Sequence, residues 1–161
     1  MFWKKTSSEE EAPKKSTGKK LLWGFFNAVF YIVIIGAILF GLPRFLSWYL
    51  QTPYPMAAIT SGSMWPALKQ GDLVFIEGIN GKKDIAVGDI IVYRNLSNDT
   101  LTIHRVAKLN EETLVTKGDA NFSNDAPAKY SDVIGKTFNP FGKPLRIPYM
   151  GSITVFASTM R

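Results

Sequence analysis

The 161-residue sequence has no cysteine and a single histidine, His104. Without cysteine there is no disulfide framework, no thiol nucleophile and no thiolate-ligated metal or iron–sulfur cluster. One histidine argues equally against a histidine-rich metal site, so no metal and no cofactor are expected. Charge is thin too, at 20% of residues, and one long stretch carries none. What is plentiful is apolar surface: 46% of residues are hydrophobic, while the 13 glycines and 9 prolines are dispersed. That composition excludes a disordered polyelectrolyte and a collagen-like fibre.

The uncharged stretch is residues 21–42, LLWGFFNAVFYIVIIGAILFGL, closed by Lys20 and Arg44. As a helix, 22 residues rise about 33 Å at about 1.5 Å each, enough for a hydrocarbon core about 30 Å thick. A buried core helix is seldom apolar on every face for so long. The run also exceeds the h-region of a cleaved signal peptide and follows a charged segment, so a retained signal anchor is expected. Residues 1–20 hold six lysines against three glutamates, a net charge of +3. By the positive-inside rule this tail stays cytoplasmic and the chain after residue 44 emerges on the far side. Trp23, Trp48, Tyr49 and Tyr54 suit the two interfaces.

The net charge of +6 is no nucleic-acid footprint, because residues 43–161 hold 13 basic and 10 acidic residues without a basic stripe. Pro43, Pro53 and Pro55 are expected to break the helix and make residues 43–58 an extended linker. Beyond it the pattern is β: Asp72–Ile76, Asp89–Tyr93, Leu101–Val106 and Thr113–Thr116 are short, β-branched and bounded by turn residues. The expected organisation is a lysine-rich tail (1–20), a transmembrane anchor (21–42), a linker (43–58) and a mainly β extracytoplasmic domain (59–161). The apolar segment Ile147–Ala157, at 11 residues, is too short to span.

Three segments carry candidate chemistry. In Ser61-Gly62-Ser63-Met64-Trp65-Pro66, a hydroxyl on a glycine turn can act as a nucleophile if a base takes its proton. Serine and glycine are also ordinary loop residues. His104, in the strand Ile103-His104-Arg105-Val106, is the one side chain whose unperturbed titration lies near neutrality, so any imidazole-dependent hydrolysis must use it. A half-buried strand histidine with one hydrogen bond is the plain alternative. In Lys117-Gly118-Asp119-Ala120-Asn121, followed by Asp125, a carboxylate could fix the imidazole tautomer, or the acids could cap their own turns. Asn95-Leu96-Ser97, Asn98-Asp99-Thr100 and Asn121-Phe122-Ser123 match glycosylation acceptors.

In order along the chain, the anchor, Ser-Gly-Ser-Met-x-Pro, Gly71-Asp72-Leu73-Val74-Phe75, Gly88–Tyr93, Ile103–Val106 and Lys117–Asn121 with Asp125 resemble the type I signal peptidases. These are membrane-anchored serine proteases that release signal peptides from exported proteins. Histidine rather than lysine before Arg-Val resembles the archaeal, endoplasmic-reticulum and sporulation-associated branch. The resemblance implies a coiled β-sheet catalytic domain, with Ser63 as nucleophile, His104 as general base, Asp125 completing a triad and Asp119 supporting the same site. It implies an oxyanion hole from the Ser63 N–H and the Ser61 hydroxyl, and pocket walls at Ile59 and Ile103. Substrates would be signal peptides of exported precursors with small residues one and three positions before the cut. The bilayer, and association with translocation machinery, complete the expected partners. Trp65 stands where the family often has an acidic residue, and is expected at the membrane face. Phe75 and Ile76 are candidates for either the bilayer surface or the core. Lysine bases at Lys69, Lys108 or Lys117, a self-cleaving repressor-type protease and an inactive binding module on the same fold are the alternatives.

Overall fold

The computed structural model describes residues 17–96 and 100–152. Four of the lysines of the N-terminal tail, residues 153–157 of the C-terminal apolar segment, and Ser97 to Asp99 of the first two glycosylation motifs lie outside that range. The chain divides into two compact units, residues 1–41 and 42–161.

In the first unit, α1 (Thr17–Gly36) runs into a five-residue π-helical turn, Ala37–Gly41. Phe25, Ile32, Val33 and Phe40 are all exposed within the chain although they point in several directions. The helical stretch Gly18–Tyr49 is long and apolar enough to cross a membrane, and its most apolar part has no protein cover. Apolar surface on every face, with no cover from the described residues, fits lipid surroundings.

The second unit opens with α2 (Leu42–Tyr49), and here the expectation that Pro43 breaks the helix is overturned. Pro43 falls in the first turn of α2, directly after the π-helical turn. There its missing N–H leaves little unsatisfied. Residues 43–58 therefore hold most of α2 and a first strand. The end of α2 is tied down: the Gly78 N–H donates to Leu50 O at 2.7 Å, and the Tyr49 ring meets Phe138 edge-on at 6.4 Å.

Among the described residues eight strands follow: β1 (Met56–Ala58), β2 (Leu73–Glu77), β3 (Ile90–Asn95), β4 (Thr100–Leu109), β5 (Thr113–Lys117), β6 (Ala128–Lys129), β7 (Val133–Thr137) and β8 (Arg146–Ile147). The order is β1-β2-β7-β3-β4-β5-β6, with β8 also on β2, and the neighbours are antiparallel. The protein is thus mainly antiparallel β with one N-terminal apolar helix, as expected. β4 runs three residues beyond its predicted end because a bulge between Val106 and Lys108 lets it keep pairing with β5.

The uninterrupted apolar run of β3 marks a strand covered on both faces. Ile90 and Val92 enter one core with Ile59, Met64, Leu68, Val74 and Ile76. Ile91 and Tyr93 enter a second with Ile85, Val106 and Leu114. Ile76, at 1% exposure, is a core residue, which decides between its two expected settings. Burying each of these aliphatic side chains contributes about 1.5–3 kcal/mol before chain entropy is subtracted.

Candidate active site

The loop between β1 and β2 carries Ser61 and Ser63, and both of its ends are pinned. The Ile59 N–H donates to Asp72 O at 2.9 Å, and the Gly71 N–H returns to Ile59 O at 2.8 Å. Gly71 has φ +89°, a turn conformation that a side chain would strain. The buried Asp72 carboxylate accepts from the Lys69 N–H and pairs with Arg146 of β8. Inside the loop, Met64 and Leu68 are 1% and 0% exposed and hold Ser63 against the first core. The Trp65–Pro66 peptide is cis, and Trp65 is exposed.

Register places the remaining groups. Ile91 of β3 stands opposite His104 of β4, and Val106 of β4 opposite Thr116 of β5. Side chains two apart share a face, so Tyr93, His104 and Thr116 rise from three adjacent strands on the side of the second core. His104 is 8% exposed. Its Nε2 lies 3.1 Å from Ser63 Oγ, and its Nδ1 lies 2.6 Å from Asp125 Oδ2. Among the described residues the hydrogen-bond partners of the Ser63 hydroxyl are His104 Nε2 and Ser61 Oγ, the latter at 3.1 Å, and no lysine is among them. Ser63, His104 and Asp125 thus form one chain of contacts, with Nδ1–H donating to the carboxylate and Nε2 free to accept from the hydroxyl.

Asp119 is placed elsewhere. Its two oxygens accept from Arg105 Nε at 2.8 Å and a terminal Arg105 nitrogen at 2.7 Å, and Arg105 also donates to Gly88 O at 2.8 Å. That hydrogen-bonded carboxylate raises the Arg105 pKa. Asp119 therefore holds the side chain of Arg105, the residue after His104, rather than a group of the Ser63–His104–Asp125 chain. Asp119→Asn breaks a fork whose arginine is 38% exposed, so about 1 kcal/mol of stability is the expected loss after allowance for solvent. A fall of about tenfold in kcat is expected, well short of the effect of replacing Asp125. Steady-state kinetics and thermal unfolding of that variant check both figures; an unchanged kcat would remove Asp119 from the site.

Ile59 and Ile103 line a cleft of about 130 Å³ together with Ser61, Ser63, Met64 and His104. A larger, more apolar hollow of about 310 Å³ adjoins it, with Ala58, Thr60, Leu101 and Ile103 common to both. Asn121 of the third glycosylation motif turns back on Gly118, its N–H donating to Gly118 O at 2.9 Å.

No protein-family model matches the sequence. Curated proteins do. Over 119 residues it is 34% identical to the signal peptidase complex catalytic subunit SEC11 of Fusarium vanettenii, covering 70% of this chain and 69% of that one. With the Neurospora crassa subunit the identity is 34% over 120 residues, covering 67% of this chain and 66% of the relative, and with that of Pyricularia oryzae it is 32% over 119 residues. The chain belongs to the type I signal peptidases.

Two groups in this signal peptidase escaped sequence reasoning. Thr116 Oγ1 lies 2.6 Å from Asp125 Oδ2 and 3.1 Å from Tyr93 Oη, and Tyr93 Oη is 3.5 Å from the same carboxylate oxygen. Burial pushes the Tyr93 phenol above its ordinary pKa, and the nearby Asp125 charge adds to this, so it stays a neutral hydroxyl. The signal was available: Thr116 alternates with Leu114, a polar residue on the buried face of a strand.

Proposed function

We propose that this protein is a membrane-bound serine endopeptidase that cleaves signal peptides from exported precursors. The 2.6 Å and 3.1 Å contacts that link Asp125, His104 and Ser63 are the observation that carries the reading. Ser63 Oγ attacks the scissile carbonyl while its proton passes to His104 Nε2. Asp125 stabilises the imidazolium. The negative oxygen that develops is met by the Ser63 N–H and by the Ser61 hydroxyl, which turns from Ser63 Oγ toward it; each such donor is worth about 3 kcal/mol. The imidazolium then protonates the leaving amine, the peptide bond breaks and an acyl-enzyme remains. Water, deprotonated by the same nitrogen, hydrolyses it and restores Ser63.

The precursor lies extended along the open edge beside Ile103, and Ile59 and Ile103 wall the cleft that takes the residue before the cut. A shallow apolar cleft admits alanine, glycine or serine and excludes bulky side chains. The N-terminal tail is cytoplasmic, the β domain is outside, and Trp65 faces the bilayer. As in the SEC11 relatives, which are subunits of a signal peptidase complex, the chain works beside other membrane components.

The test is incubation of the purified full-length protein with a precursor carrying Ala-x-Ala. Cleavage after the second alanine is expected, and a phenylalanine in place of that alanine lowers kcat/KM by about 10²-fold or more. Equal cleavage of the two precursors would refute the pocket assignment, and no cleavage of either would refute the function. Vesicles of native orientation test the topology: an external protease reaches residues 1–20 only from the cytoplasmic face.

A further inference from the structure

We propose that Thr116 is a positioning residue for this reaction, its single hydroxyl fixing the Asp125 carboxylate with Tyr93 as its backing. The inference rests on the reading of Ser63, His104 and Asp125 as nucleophile, base and acid, and adds a residue of β5 that the motif pattern leaves out.

Proton counting sets the direction of the chain. A threonine hydroxyl has one proton, and a carboxylate can only accept. The 2.6 Å contact therefore takes the Thr116 proton to Asp125 Oδ2. Thr116 Oγ1 is left as an acceptor for the Tyr93 phenol at 3.1 Å. His104 Nδ1 also donates to Oδ2. One carboxylate oxygen thus receives an imidazole from β4 and a hydroxyl from β5, and the hydroxyl is oriented by a phenol from β3.

Burial makes this arrangement effective. Thr116 is 0% exposed and Tyr93 3%, so water cannot replace either hydroxyl. Thr116 grips Asp125 a second time through the backbone, since the Asp125 N–H donates to Thr116 O at 2.8 Å. Backbone and side chain of one residue together fix both the position and the rotamer of the acid. Rotation of that carboxylate would swing His104 Nε2 off the Ser63 hydroxyl. The effect therefore falls on kcat and leaves precursor binding alone, because Thr116, Tyr93 and Asp125 are not among the residues that line the cleft at Ile59.

The test uses the full-length protein and reads Ser63 in two ways: labelling by a fluorophosphonate, and cleavage of an Ala-x-Ala precursor. In labelling, the P–O bond to Ser63 forms as P–F breaks, fluoride leaves and His104 takes the proton, so the rate reports the triad without precursor recognition. The parent is labelled at Ser63 and Ser63→Ala is not. Thr116→Val, which keeps the shape and removes the hydroxyl, slows labelling and kcat by about tenfold or more with KM within about twofold. Thr116→Ser restores both to within about threefold, and Tyr93→Phe slows both by about threefold.

Parent rates in Thr116→Val overturn the proposal, as does a serine variant no faster than the valine one. Should Thr116→Val fail to show a cooperative thermal transition, Tyr93→Phe decides: slower labelling supports the relay and parent labelling overturns it. A parent labelled at Ser63 that cuts no precursor refutes the signal-peptide reading, and the labelling rates alone then decide the role of Thr116. A parent that is neither labelled nor cleaves the precursor overturns the proposal together with the triad, and in a parent that cleaves without being labelled the kcat values of the same variants decide.

Discussion

Ser63→Ala is expected to lower kcat on an Ala-x-Ala precursor by about 10⁴-fold or more, and Asp125→Asn by about 10³–10⁴-fold, with KM nearly unchanged in both. The serine variant loses the only atom that forms the acyl bond, and it disturbs little packing because Ser63 lies on a loop held by Met64 and Leu68. The asparagine variant keeps the shape and loses the chemistry. An amide at 2.6 Å from His104 Nδ1 can donate where the carboxylate accepted. The imidazole then carries its proton on Nε2, the nitrogen 3.1 Å from Ser63 Oγ, where a base is needed. His104→Lys should not rescue the site, although the lysine branch of the family uses that position. Beside the Asp125 carboxylate the ammonium stays charged and cannot take a proton. Rates on one precursor peptide, with thermal unfolding as the check on folding, measure all three. Near-parent kcat in both His104→Ala and Asp125→Asn would sink the triad and reopen a lysine base.

The parts of this molecule that were legible in the sequence are those whose physics is local. β2 to β5 announce themselves by β-branched residues between turn signals, and their predicted bounds hold within one or two residues except where a bulge prolongs β4 to Leu109. β1, β6 and β8 have three, two and two residues, too few for any alternation to register. β7, interrupted by Gly135 and Lys136, is not among the expected strands. Its place between β2 and β3 is a long-range pairing that no local pattern encodes. Pro43 misled because the rule concerns helix interiors, whereas this proline stands in a first turn.

At the site, Ser63, His104 and Asp125 could be picked out by motif, whereas their separation in space depends on register. The same register brings in Thr116 and Tyr93, which look like ordinary strand residues. It also sets Asp119 apart. Two aspartates six residues apart in one loop look alike by local pattern, and it is the resemblance that gives them different roles. The fold sets one against the imidazole and the other on Arg105.

The segment from Thr116 to Asp125 touches Ser63 as well, and this leads to the second large effect. The Ala120 N–H donates to Ser63 O at 2.9 Å, and Gly118 lies directly beneath that carbonyl. A Cβ at Gly118 would stand 2.8 Å from Ser63 O, 2.7 Å from Asn121 Nδ2 and 2.9 Å from Asn121 Cγ. The asparagine side chain can swing away. The carbonyl cannot, because its acceptor bond to Ala120 and the buried Met64 next to it fix the peptide. Gly118→Ala must therefore push the Ser63 loop off its strap by several tenths of an ångström. The push is relayed to Ser63 Oγ, whose contact with His104 has little slack. Overpacking of this kind costs about 1–3 kcal/mol of stability, and a misplaced nucleophile costs about 10²-fold in kcat. Binding of the precursor should change little, since Gly118 lines neither the cleft at Ile59 nor the hollow beside it. The measurement is kcat and KM for Gly118→Ala alongside its thermal unfolding. A variant that keeps the parent kcat would show that the strap does not set the position of Ser63.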